Sequence, residues 1–97
     1  MRQIEVNYFN PQKARGVVGG TPSVPLHGQF SFFSHDGNLE VQFLDDSPVT
    51  GDVPPQKLPA NTQFVASKAG HFRFRCFING NPIPSDGGGE LDIPPVQ

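Results

Sequence analysis

The chain has 97 residues, with 7 basic and 9 acidic side chains and a formal charge of −2. That length is one domain's worth, taken as residues 1–97, and the near-balanced charge excludes the clustered Lys and Arg that nucleic acid or an anionic membrane surface would select. With 11 Gly and 11 Pro, long helices are excluded too, because Pro removes a backbone donor and Gly is entropically costly inside a helix.

The N-terminus, MRQIEVNYF, lacks the apolar core of a signal peptide. The chain therefore reads as cytoplasmic as encoded, or as periplasmic or secreted if a leader has been removed. Ile4, Val6 and Tyr8 alternate with Glu5 and Asn7, the period of a first strand. Residues 14–18 read as a short second strand, and 19–26 (GGTPSVPL) as a turn-rich connection with two prolines. Residues 29–34 (QFSFFS) form a strand dense in Phe, and Asp36-Gly37 is a tight-turn dipeptide. Leu39, Val41 and Phe43 then alternate with Asn38, Glu40 and Gln42, giving a strand with one wet face.

Residues 45–61 (DDSPVTGDVPPQKLPAN) hold four prolines and read as a long loop with room for a short edge segment. The next strand is 62–67 (TQFVAS), and a turn at 68–70 leads into 71–78 (HFRFRCFI), the clearest strand in the chain. Phe72, Phe74, Cys76 and Ile78 share one of its faces; His71, Arg73, Arg75 and Phe77 share the other. Residues 79–89 (NGNPIPSDGGG) form a polar loop before a short last strand at 91–93, which Pro94-Pro95 stops.

About seven short strands punctuated by turns predict an all-β fold, a Greek-key β-sandwich, with an immunoglobulin-like sandwich as the alternative. The chain has 9 Phe, 1 Tyr and no Trp, so most rings belong in the core rather than on a recognition surface. No stretch approaches the ~18 apolar residues of a membrane span, and no membrane or nucleic-acid partner is expected. A single cysteine, Cys76, leaves no intrachain disulfide.

Ala69-Gly70-His71-Phe72-Arg73-Phe74-Arg75-Cys76 carries a Gly-x-aromatic-x-aromatic-x-Cys strand. Gly87-Gly88-Gly89-Glu90-Leu91-Asp92-Ile93 supplies a Gly-rich turn and a last strand, and Leu58-Pro59-Ala60-Asn61 a turn closing a Pro-rich stretch. Over residues 29–93 the chain thereby resembles a cupredoxin. Asn61 takes the place of a Gly in that turn, and Asn is the next-best residue in a left-handed conformation.

The resemblance implies a copper site built from two His, one Cys and an axial Met. Cys76 stands at the thiolate position. The downstream histidine is missing from Cys76-Phe77-Ile78-Asn79-Gly80-Asn81, where Asn79 is best placed to substitute. Asn38 or Leu39 stands at the upstream position, 76 − 38 = 38 residues away, and the only methionine is Met1. Amide oxygen is a poor Cu(II) ligand, so no type 1 copper and no other cofactor is expected. An irregular site using Cys76 and His35 remains as an alternative; His35 otherwise reads as a solvent-facing turn residue.

Other constellations are weaker. Cys76 and His71 suggest a thiol with its base, but five residues of regular strand put them on opposite faces about 16 Å apart. A free Cys is more often an inert core thiol. Asp45, Asp46, Thr50 and Asp52 offer oxygen ligands to calcium without the spacing of an EF-hand. Residues 85–89 (SDGGG) precede a strand, whereas a phosphate loop precedes a helix. Arg73, Arg75 and Phe77 form a candidate partner-binding face, with Asn79 and Asn81 in the adjoining loop; the alternative for that face is ordinary solvation.

The expectation is thus a non-catalytic module, not an enzyme, that binds an unidentified protein through its loops. A metal protein with an irregular Cys/His set and a small thiol enzyme are the alternatives.

Overall fold

Strands form where apolar and polar residues alternate and β-branched or aromatic side chains can stand across a pleat. A computed structural model of the chain describes residues 1–7, 16–17, 21–83 and 89–95. Among these are nine strands: β1 (Arg2–Asn7), β2 (Gly16–Val17), β3 (Gln29–Phe33), β4 (Leu39–Phe43), β5 (Lys57–Pro59), β6 (Phe64–Val65), β7 (Gly70–Ile78), β8 (Asn81–Pro82) and β9 (Gly89–Ile93). The expected positions of Tyr8 and of residues 84–88 lie outside the described residues.

Two sheets face each other. The first has the order β2-β1-β3-β6; the second runs β5-β4-β7, with β8 and β9 sharing the far side of β7. β1 and β3 are parallel, with Ile4 opposite Phe32; the other strand pairs are antiparallel. The result is an all-β sandwich, as the alternation predicts.

Seven of the eight phenylalanines among the described residues are buried, because a ring without a polar handle gains most from leaving water. Phe32 of the first sheet lies at the centre. Its ring centroid is 5.8 Å from Phe30, 5.3 Å from Phe74 and 6.4 Å from Phe43, all edge-to-face. Phe43 and Phe74 are register partners on β4 and β7, so this cluster joins the two sheets.

β7 shows the expected faces over most of its length. Phe72, Phe74 and Cys76 point inward, and His71, Arg73 and Arg75 are exposed. Phe77 departs from the pattern: it lies on the outer face yet is only 8% exposed. Lys57 of β5 sits 4.0 Å over its ring, and Pro82 of β8 is its register partner. Neighbouring strands therefore cover a ring that the sequence places in solvent.

Other expectations change in extent. The 62–67 strand contracts to Phe64–Val65, continued by a single bridge between Val49 and Ala66. The 45–61 loop does contain an edge segment, β5. Asp36-Gly37 turns the chain, but β3 and β4 belong to different sheets, so the turn crosses the sandwich instead of closing a hairpin. Asn7, expected on the wet side of β1, is buried there because its Oδ1 accepts from His35 N (3.0 Å) and Ser34 Oγ (3.3 Å), anchoring the crossing. Residues 22–24 run beside β9 and protect its edge: Val24 N donates to Asp92 O (2.9 Å), and Asp92 N donates to Pro22 O (3.0 Å). No helix among the described residues is long and apolar enough to cross a membrane.

Candidate functional site

The crossing from β3 to β4 and the turn after β7 meet at one end of the sandwich. Leu39 and Ile78 are register partners, so the residues just beyond them, Asn38 and Asn79, fall side by side. They clasp each other. Asn38 N donates to Asn79 Oδ1 at 3.0 Å, and Asn79 N donates to Asn38 O at 2.8 Å. Asn38 is one of the two residues, with Leu39, that the resemblance sets at the upstream position, and Asn79 is its downstream candidate; the two lie side by side.

Two backbone conformations permit the clasp. Asn79 has φ 53°, a left-handed conformation that its short amide side chain tolerates. Gly37 has φ 144°, and a Cβ there would lie 2.6 Å from Asn79 Nδ2 and 2.7 Å from Oδ1. The amide could yield only by giving up its bond to Asn38. Gly37→Ala should therefore cost about 1–3 kcal/mol, read as a lower denaturant midpoint. The backbone amide resonances of Asn38 and Asn79 should shift with it. Nearby, Asn61 has φ 61°, the left-handed turn expected of it, and its N donates to Phe32 O at 2.9 Å.

A groove of about 540 Å³ opens beside the clasp, lined in part by Ser34, Gly37, Asn38, Glu40, Asn61 and Asn79. Amides, backbone groups and one half-buried carboxylate dominate it. Such a surface can exchange hydrogen bonds with a partner. Among the described residues lining it, Ser34 carries the one hydroxyl, which donates to Asn7 Oδ1 (3.3 Å) and accepts from Asp36 N (3.0 Å).

Cys76 does not line this groove. Its side chain is fully buried opposite Val41, and burial pushes the thiol up to about 12. His71 projects from the other face of β7, as expected from five residues of regular strand. His35 is not brought to the thiol. Its ring stands 73% exposed beside Phe33 (5.4 Å) and Glu5 (3.6 Å) at the first sheet. No cluster of three or more His, Cys, Asp or Glu side chains that could hold a metal ion occurs among the described residues. The residues that the resemblance sets against copper ligands, Asn38 or Leu39, Asn79 and Cys76, offer at most amide oxygens and an enclosed thiol, which do not fit a type 1 copper ion.

The outer face of β7 is largely self-satisfied. His71 lies 3.9 Å from Glu90 and 3.4 Å from Asp92. Arg73 pairs with Asp45 at 2.7 Å, and that hydrogen bond raises its affinity for its proton. Arg75 has no ion pair among the described residues and is the one free cation of the three-residue candidate face. Phe77 is covered, Asn79 is engaged in the clasp, and Asn81 is exposed on β8.

The acidic loop does not converge on one ion either. Asp45 goes to Arg73. Asp46 takes Lys68 at 2.8 Å, which with the Ser47 N–H lowers its pKa. Sequence reasoning missed the Gly37–Asn79 contact and the burial of Asn7. A Gly in a turn and an Asn in a strand were the only local signals. No protein-family model and no curated protein matches this chain.

Proposed function

We propose that this chain is a non-catalytic binding or assembly module on a cupredoxin-like, Greek-key scaffold whose metal-ligand positions are occupied by amides. The observation that carries this reading is the reciprocal Asn38–Asn79 clasp at the edge of a polar groove. Asn79 spends its Oδ1 on the Asn38 N–H and its own N–H on the Asn38 carbonyl, which ties up an acceptor that a metal would need while leaving a shaped, hydrogen-bonding rim.

The scaffold reading has its own support. The chain crosses from the first sheet to the second between β3 and β4, returns to the first at β6 and crosses again to β7, which favours a Greek-key reading. The parallel pairing of β1 with β3 departs from the antiparallel sheets of an immunoglobulin-like sandwich. The thiol of Cys76, fully buried and held protonated, favours neither the metal nor the enzyme alternative.

Two measurements test the reading. On adding Cu(II), the visible spectrum should stay free of the intense thiolate-to-copper band; its appearance would overturn the proposal. In co-purification from the native source, Asn79→Ala and Arg75→Glu proteins, each verified as folded, should lose a partner that Cys76→Ala retains. The opposite pattern would make the thiol the functional group.

A further inference from the structure

The turn after β7 carries a chemically labile pair of residues. Six asparagines occur in the chain, and Asn79 is the one followed by a glycine. Asn81 is followed by Pro82, whose nitrogen has no hydrogen to give up. An asparagine before glycine is prone to lose its amide, because no Cβ shields the backbone nitrogen that attacks it. The register of Ile78 with Asn81 leaves Asn79 and Gly80 as the two central residues of the β7–β8 turn. Their φ values are 53° and 81°, those of the primed hairpin turn that Asn-Gly favours. Both residues are exposed, and a Cβ on Gly80 would meet nothing within 4 Å, so water reaches the turn.

The geometry nonetheless opposes the reaction. Ring closure needs Gly80 N swung round to the side of the Asn79 Cβ, within reach of Cγ. A left-handed residue holds the following nitrogen on the side away from its Cβ. The amide is also held in place. Asn79 Oδ1 accepts from Asn38 N (3.0 Å), and Asn79 N donates to Asn38 O (2.8 Å). Gly37 backs it closely, since a Cβ there would stand 2.9 Å from Asn79 Cγ. The turn and the clasp must both open before nitrogen and carbon can meet.

We propose that Asn79 is a site of spontaneous deamidation that the Asn38 clasp keeps closed while the protein is folded. Once the turn opens, Gly80 N attacks Asn79 Cγ. The new N–Cγ bond forms as the Cγ–Nδ2 bond breaks, the Gly80 amide proton leaves with Nδ2 as ammonia, and a cyclic imide remains. Water then adds to one of the two imide carbonyls. Opening at one gives aspartate; opening at the other gives isoaspartate, whose backbone runs through the former side chain. The net change is amide plus water to acid plus ammonia, and no oxidant or reductant is consumed. Either product sets a carboxylate on the groove that Glu40 also lines. Isoaspartate in addition lengthens a turn that the strand register limits to two residues. The chemistry does not require the groove to bind a partner, so it stands or falls separately from the reading above.

The test follows Asn79 by peptide mapping of the whole chain in mildly alkaline buffer, folded and unfolded in guanidinium chloride. No Lys or Arg follows Arg75, so trypsin releases residues 76–97 as one peptide, in which Asn79 is the one asparagine able to cyclise. Fragmentation in the mass spectrometer locates the amide-to-acid change. The unfolded chain should accumulate aspartate and isoaspartate at position 79. The folded chain should do so at least about tenfold more slowly, because reaction waits for local opening. Folded Gly37→Ala, which pushes the amide off Asn38, should convert faster than folded Val24→Ala, a buried truncation beside β9 that leaves the turn untouched. Equal rates in folded and unfolded wild type, or an unfolded chain that leaves Asn79 intact, would overturn the proposal. So would a folded Gly37→Ala protein that converts no faster than Val24→Ala. Should Gly37→Ala not fold, the comparison of folded with unfolded wild type decides alone.

Discussion

Truncating Phe32 to alanine should remove about 3–5 kcal/mol of folding stability, a large share of the 5–15 kcal/mol typical of a domain. The ring is fully buried and touches Phe30 within its own sheet and Phe43 and Phe74 across the sandwich. Its loss removes apolar contact area, three edge-to-face ring contacts and the volume that holds the sheets apart. Urea denaturation should show the effect as a lower midpoint with an unchanged slope. Phe74→Ala should fall in the same range, since it sits on the opposite wall of the same cluster. Arg73→Ala, which loses an exposed ion pair with Asp45, should stay within about 0.5–1 kcal/mol of wild type. Should Phe32→Ala fail to fold, Phe32→Leu keeps the comparison available at a cost of about 1–2 kcal/mol. Equal midpoints for Phe32→Leu and Arg73→Ala would mean that the core does not run through this cluster.

The second large effect concerns Cys76. Burial raises its thiol to about 12, against an ordinary value near 8.5 in an unfolded chain. At pH 8 the thiolate fraction is then lower in the folded protein by about a thousandfold, before steric exclusion is counted. A disulfide reagent such as dithionitrobenzoate should therefore react at least that much more slowly with native protein than with urea-unfolded protein. A native rate approaching the unfolded one would show the thiol to be open. The same shift fixes a pH dependence. Because the folded pKa lies above the unfolded one, the folded state keeps a proton that the unfolded state has lost between about pH 9 and 12. The stabilisation is thus complete below that window and declines as pH rises through it, by up to about 1.4 kcal/mol per unit. Cys76→Ala should flatten this part of the alkaline unfolding curve.

Much of this architecture was legible in the amino-acid order. Alternation is a property of the extended backbone itself, since successive side chains of a strand must point to opposite faces. That is why the inward Phe72, Phe74 and Cys76 and the outward His71, Arg73 and Arg75 could be assigned from residues 71–78 alone, and why Cys76 and His71 could be excluded as a pair. The left-handed turn at Asn61 was equally local, because few residues other than Gly and Asn tolerate that backbone.

What needed the tertiary structure is everything that depends on which strands become neighbours. Phe77 stands on the outer side of β7 by its own periodicity, and neighbouring strands, with Lys57 of β5 over the ring and Pro82 of β8 beside it, turn that position into a buried one. Asn7 reads as a wet strand residue until the crossing at residues 34–35 hydrogen-bonds to it. Asn38 or Leu39, and Asn79, could be named as the residues that the resemblance sets against histidines. That each accepts a hydrogen bond from the other follows from the register of β4 on β7, which pairs residues about 40 apart in the chain. The carboxylate of Asp52, whose oxygens have no hydrogen-bond partner among the described residues, is the extreme case. Its sequence neighbours Asp45 and Asp46 find cations, and nothing in the local sequence distinguishes it from them. Local stereochemistry sets the direction in which a side chain points, whereas burial and pairing are properties of long-range contacts that a periodicity does not contain.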